Sequence, residues 1–301
     1  MRRRAACLAA LTVILAIPAN RAAPAAPPAA AVFGGLGSWL DIFAADAWSS
    51  PAAVVARARA AGVRMLYLQT SNYSQRTGIV RPAALGLFVD AAHAAGLRVV
   101  AWYLPGFANP RLDARRTVAA LRFRSATGQA FDGFALDIEA SLVRNVAERN
   151  ARLLSLAALL HRTAPAGYPL GAIIPSPVGI RRHRHYWPGF PYATLARSFD
   201  AILPMAYFSH YAHSARAAYA YAHEAMTLLR AHTAGRLPLV HMIGGSGRNI
   251  PAATLAGFVR AASECGARGI SLYAFPQTSA ADWAVLRAAS LRGPARASCA
   301  H

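Results

Sequence analysis

From residue 33 onward the chain alternates short apolar runs with longer helical ones, and this rhythm leaves few folds open. The strand-like runs are Phe33–Phe43, Val63–Gln69, Arg98–Leu104, Gly133–Glu139, Leu170–Pro175, Ala201–Tyr207, Pro238–Ile243 and Gly269–Phe275. Helical patterns fill 51–61, 81–95, 112–125, 141–164, 214–232, 252–265 and 280–290, with a short helix near 192–198. The strands are apolar on both faces, as buried parallel strands are. Gly62, Gly96, Gly171 and Gly269 precede strands and read as helix C-caps or turns between helix and strand. Eight βα units predict a (β/α)8 barrel. A doubly wound open sheet is the alternative, but it wants a glycine-rich turn opening a helix. Here Gly34-Gly35-Leu36-Gly37 leads into strand-like sequence. No linker-like stretch divides residues 32–301, so one domain is expected.

The N-terminus reads as an export signal over residues 1–23. Arg2, Arg3 and Arg4 precede a short apolar stretch, and small residues follow near Ala22-Ala23. The apolar stretch is short for a membrane span, so no stable span is expected once the signal is cleaved. Residues 24–31 are rich in Ala and Pro and predict a disordered lead-in. Cys7 falls inside the signal. Cys265 and Cys299 remain, and an exported protein permits a disulfide between them. The formal charge is +20, and all 32 basic residues other than histidine are arginine. Arginine codon bias explains much of this. The functional reading is attraction to an anionic cell-envelope polymer. The arginines form no single stripe, which argues against nucleic acid. Secretion or envelope association is the expected localisation.

The chain has only 12 acidic side chains, and Asp132, Asp137 and Glu139 fall within eight residues of one another. Strand alternation puts Gly133, Ala135, Asp137 and Glu139 on one face. Two carboxyls at the end of an apolar strand are costly to bury unless a site uses them. In a barrel, active sites lie at the C-terminal ends of the strands, where Glu139 ends the fourth run. Glycoside hydrolysis needs a protonated acid beside the leaving oxygen and a second group supporting the oxocarbenium-like transition state. A neighbouring carboxylate and an apolar setting raise the proton affinity of Glu139, as a general acid requires.

The segment Phe131-Asp132-Gly133-Phe134-Ala135-Leu136-Asp137-Ile138-Glu139 resembles the signature of glycoside hydrolase family 18, the chitinase-like (β/α)8 enzymes. Position 135 departs from it: the family has Asp or Asn there. By resemblance, Glu139 is the acid/base and Asp137 positions the substrate acetamido group. Met205-Ala206-Tyr207 looks like the family's Met-x-Tyr, whose Tyr binds the reacting sugar. Phe208 replaces the acid that follows it. Tyr273 falls near the family's barrel-floor aromatic. An Asp-x-Glu at this strand end also looks like other sugar-cleaving barrels, including family 25 muramidases.

Other strand ends supply stacking and hydrogen-bonding groups. The candidate substrate contacts are Tyr207, Asp132, Asp41, Trp102, Trp39, Tyr273, Met205 and Gln69, with Asn72 and Tyr103 beside them. Asp41 also offers a second carboxylate. His241 reads equally as a core histidine or a site residue. The loop Arg181-Arg182-His183-Arg184-His185-Tyr186-Trp187 predicts either a solvated basic loop or an anionic or glycan-binding rim with Trp187 as platform. No Cys/His spacing resembles a zinc site, and no metal or organic cofactor is implied. The expected activity is hydrolysis of a polysaccharide, amino-sugar-containing glycans among the candidates. Two rivals stand beside it: a catalytically silent carbohydrate-binding barrel, favoured by Ala135 and Phe208, and a wall-attached protein that binds by charge.

Overall fold

The computed structural model describes residues 28–246, 250–289, 291 and 299. The signal and the first half of the lead-in, residues 24–27, lie outside the described residues. Eight parallel strands close into a barrel in chain order: β1 Gly35–Leu40, β2 Met65–Asn72, β3 Arg98–Leu104, β4 Gly133–Asp137, β5 Leu170–Pro175, β6 Ala201–Met205, β7 Leu239–Ser246 and β8 Gly269–Tyr273. Closure is by β1 on β8, with Gly35 opposite Gly269 and Ser38 opposite Leu272. The helices are α1 Ala29–Phe33, α2 Ala45–Ser49, α3 Pro51–Ala60, α4 Pro82–Ala94, α5 Pro110–Arg122, α6 Val146–Thr163, α7 Pro177–Arg182, α8 Tyr192–Ser198, α9 Ala215–His232, α10 Ala252–Glu264 and α11 Ala280–Arg287.

Local chemistry sets these boundaries. Prolines open α3, α4 and α5, where a missing N–H has no consequence. Asn109, Asn145 and Ser214 accept first-turn amides of α5, α6 and α9, and Ser279 with Asp282 forms a capping box on α11. Gly62 and Gly96 follow α3 and α4 in the left-handed region, φ 81° and 73°, as expected for helix C-caps. Gly171 and Gly269 instead lie inside strands. Their missing side chains make room for α1.

That helix corrects two expectations. The first strand begins at Gly35 rather than Phe33, and the lead-in is helical from Ala29. The reason is burial: Val32 and Phe33 are fully enclosed and plug the N-terminal end of the barrel. A Cβ on Gly133 would lie 2.8 Å from Val32 Cγ1, and one on Gly171 would lie 2.9 Å from Phe33 Cε1.

Above the plug, inward-facing side chains fill the barrel in layers. Trp39, Met65, Tyr67, Val100, Trp102, Ala135, Ile173, Leu203 and Ile243 belong to this inner cluster. Trp39 stacks on Tyr67 with centroids 3.9 Å apart and meets Trp102 edge-on at 5.9 Å. His241 is a core histidine of this floor. Its Nδ1–H donates to the Phe33 carbonyl at 2.9 Å, and its Nε2 accepts from Ser271 Oγ at 2.9 Å. Ser271 in turn accepts from Trp39 Nε1 at 2.7 Å. Burial pushes the His241 imidazole down to about 4, so it is neutral at physiological pH.

The outer cluster packs strands against helices, and Cys265 and Cys299 are joined in a disulfide. Among the described residues, no helix is long and apolar enough to cross a membrane.

Candidate active site at the barrel mouth

The C-terminal mouth holds a cavity of about 430 Å³. Asp137 and Glu139 line it together with Trp39, Gln69, Trp102, Met205, Tyr207 and Tyr273. Strand alternation explains the convergence: each of these side chains shares the inward face of its strand or lies just past its end. Glu139 sits two residues beyond the end of β4, and Tyr207 two beyond β6, because ladder pairing stops at the mouth.

Asp137 is 5 % exposed, and its Oδ1 makes no hydrogen bond among the described residues. Burial raises its pKa well above the ordinary aspartate value, and the neighbouring Glu139 charge raises it further. Burial likewise raises Glu139. The two form a coupled pair in which ionising one opposes ionising the other. Such a pair holds a proton at pH values where ordinary carboxyls have lost theirs. The buried residue 135, where the family 18 signature carries a carboxylate, is alanine and offers Asp137 no hydrogen bond.

The site also contains groups that the sequence pattern does not single out. Phe43 and Tyr73 line the cavity from the loop after β1 and the end of β2, and they are 70 % and 40 % exposed. Ser74 lines it as well, beside Asn72, which the strand-end reading already names. A register irregularity between Gln69 and Ser71 changes which side chains face inward, so Gln69 and Asn72 both reach the cavity. Ser71 turns away and bonds the Thr77 carbonyl. Tyr186 donates from its hydroxyl to the backbone carbonyl of Glu139 and holds the acid's main chain from the following loop. Trp102 Nε1 is buried without a partner among the described residues, an unsatisfied donor in the cavity wall.

Three expectations need correction. Asp132 is no substrate contact. It precedes β4 at the opposite end of the barrel, where Asp132 Oδ2 accepts from His93 Nε2 and Val99 N–H, each at 2.8 Å, and Oδ1 accepts from Arg98 at 2.9 Å. Tyr103 points outward, because only alternate residues of β3 face the barrel axis, and donates to Asp113 at 2.5 Å. Trp187 is fully buried rather than a rim platform: Arg149 lies over its ring at 4.0 Å and Asn150 accepts its indole N–H. Phe208 packs on Phe258 in the outer core, centroids 5.0 Å apart.

Asp41 stands beside the cavity rather than in its lining. Its Oδ2 accepts from Tyr273 at 2.8 Å, and its Oδ1 accepts the amides of Phe43 and Ala44. Both oxygens are occupied, which makes Asp41 a clamp on Tyr273.

The Asp132 cluster carries a pH signature. Its hydrogen bond to Asp132 raises His93 above 6.5 despite desolvation. Burial favours a higher Asp132 pKa, but the His93 and Val99 hydrogen bonds and the nearby cations outweigh it and hold the carboxyl below 3.8. The raised histidine stabilises fully below 6.5 and fades as pH rises through its folded value. The depressed aspartate stabilises fully above 3.8 and fades as pH falls through its folded value. The stability difference between wild type and Asp132→Asn in urea titrations is therefore expected to peak between those limits and shrink on both sides. A difference independent of pH contradicts the pairing.

No family model matches the chain, and no curated protein matches it by sequence. Solved structures do match in shape. A GH5_18 protein from Bifidobacterium longum subsp. infantis superposes with TM-score 0.64 at 14 % identity, over 88 % of this chain and 81 % of that one. The chain shares its fold with glycoside hydrolases. The spore cortex-lytic enzyme SleL of Bacillus cereus gives TM-score 0.61 at 10 % identity, covering 84 % and 73 %. A chitinase from Chromobacterium violaceum gives 0.58 at 12 %, covering 84 % and 98 %.

Proposed function

We propose that this chain is an exported glycoside hydrolase that cleaves a neutral or amino-sugar-containing polysaccharide. The carrying observation is the buried, mutually coupled Asp137–Glu139 pair in an aromatic-lined cavity at the catalytic end of the barrel. Glu139, the more accessible of the two, gives its proton to the glycosidic oxygen as the bond breaks. Burial keeps Glu139 protonated above its ordinary pKa, and Asp137 orients the sugar beside it. Tyr207 and Trp39 supply ring faces, and Gln69, Asn72 and Tyr273 supply polar contacts to hydroxyls. Among the described residues no arginine, lysine or histidine lines the cavity, although the chain has 32 arginines. Among the described lining residues a uronate or phosphorylated sugar meets two acids and no cation. Neutral and amino sugars are therefore favoured.

Ala135 supports a second reading, a silent barrel that binds a glycan without cleaving it, since Asp137 lacks the supporting carboxylate of the family 18 signature. The test is release of new reducing ends from chitooligosaccharides, peptidoglycan, galactosamine polymers and neutral glucans, with polygalacturonate as the anionic control. Cleavage confined to the neutral and amino-sugar members supports the hydrolase reading; absence of cleavage across the panel overturns it. A pH profile adds a sign. Protonated Glu139 is the active form, so kcat/KM is expected to fall as pH rises through a pKa above the ordinary glutamate value of 4.5. An alkaline limb at 4.5 or below contradicts the role.

A further inference from the structure

The end of the barrel opposite the cavity presents a different chemistry. Two adjoining grooves of about 570 and 630 Å³ cross the N-terminal face. They share Ala30, Gly34, Gly62 and Arg64. Arg268 and Arg287 line the first, and Arg59 and Arg98 line the second. All five arginines are exposed, and among the described residues no acidic side chain lines either groove.

The arginine stems are seated on glycines. A Cβ on Gly35 would lie 2.9 Å from Arg64 Cδ, one on Gly62 3.0 Å from Arg287 Cδ, and one on Gly96 3.1 Å from Arg59 Nη1. Each of these glycines has positive φ, so the turns leave space that the long side chains cross.

Arg59 and Arg287 end α3 and α11 and complement their helix dipoles; they donate to the Ala95 and Ala60 carbonyls. Arg98 is held by Asp132. Arg64 and Arg268 have no such structural role. They lie outside helices, just before β2 and β8, and neither guanidinium has an ion-pair or hydrogen-bond partner among the described residues.

Among the described residues no aromatic side chain lines either groove, so neither a sugar ring nor a nucleobase finds a stacking platform there. What remains is a row of cations suited to repeated anionic groups.

We propose that this face binds an anionic envelope polymer, through phosphates or carboxylates spaced along its chain, and leaves the catalytic mouth free. The inference rests on the groove geometry and is independent of the hydrolase reading.

The test measures binding of the full-length protein to poly(glycerol phosphate), polygalacturonate and double-stranded DNA across a salt series. The proposal expects binding to one or both of the first two, with phosphate and carboxylate recognition separated by which. The Arg64→Ala/Arg268→Ala double variant then loses affinity by about tenfold or more at low salt, and its log-affinity against log-salt slope becomes shallower by about two. Arg64→Lys/Arg268→Lys keeps most of the slope, which separates lost charge from a folding defect. Arg144→Ala/Arg184→Ala, exposed arginines on loops at the other end, keeps the wild-type affinity. Three results overturn the proposal: no polyanion binding by wild type, an equal loss in the Arg144/Arg184 pair, or tighter binding to DNA than to both envelope-type polymers.

Discussion

Replacing Glu139 with glutamine is expected to lower kcat on a natural glycan by about 100- to 10,000-fold, the usual contribution of a positioned acid. The amide keeps the shape and the Tyr186 contact, which goes to the Glu139 main chain and not to its side chain. It removes only the transferable proton. The loss should therefore shrink on aryl glycosides whose leaving group departs without protonation, and KM should change little. A uniform loss on both substrate types would mean that Glu139 shapes the cavity rather than donating the proton. The Asp137 neighbour makes the glutamine variant more informative. With one member of the pair neutral, Asp137 loses the charge that raises its pKa, while its burial remains.

The largest expected stability effect lies at the other end of the barrel. Phe33→Ala should destabilise the protein by about 3–5 kcal/mol in urea unfolding, as deletion of a buried aromatic does where neighbours cannot collapse. Phe33 is fully enclosed by a closed ring of strands, and glycines at 133 and 171 leave no side chains to move inward. The Phe33 carbonyl still holds His241, so the cost belongs to the lost ring. A loss below about 1 kcal/mol would show that the floor repacks without α1.

That helix also marks where the sequence stops being readable. The barrel is legible because eight apolar runs at regular spacing permit little else, and the Asp137–Glu139 face is legible because strand alternation is strict. The plug is not. Ala29-Ala30-Ala31 looks like low-complexity lead-in, and only the void beneath Gly133 and Gly171 gives Val32 and Phe33 their place. Asp132 shares a motif with Asp137 but lies across the barrel's length from the mouth, a distance that motif matching ignores. The β2 irregularity that admits Asn72 and Tyr73 arises from pairing with β3, and local sequence does not encode it. The burial of Trp187 is not legible locally, because it depends on Arg149 and Asn150 of α6.

Charge is segregated in a way composition conceals. Among the described residues the ionisable lining of the cavity is acidic or phenolic, despite the +20 charge of the chain. The arginine grooves lie at the opposite end. Ionic strength should therefore weaken envelope binding steeply and leave cleavage of a neutral oligosaccharide little changed.

The most direct test of the central claim measures turnover and binding together on one cleaved glycan, for wild type and Glu139→Gln. The account predicts that the variant binds the glycan with near wild-type affinity and releases almost no new reducing ends. Retained turnover, or binding lost in proportion to turnover, would contradict the assignment of Glu139 as the acid.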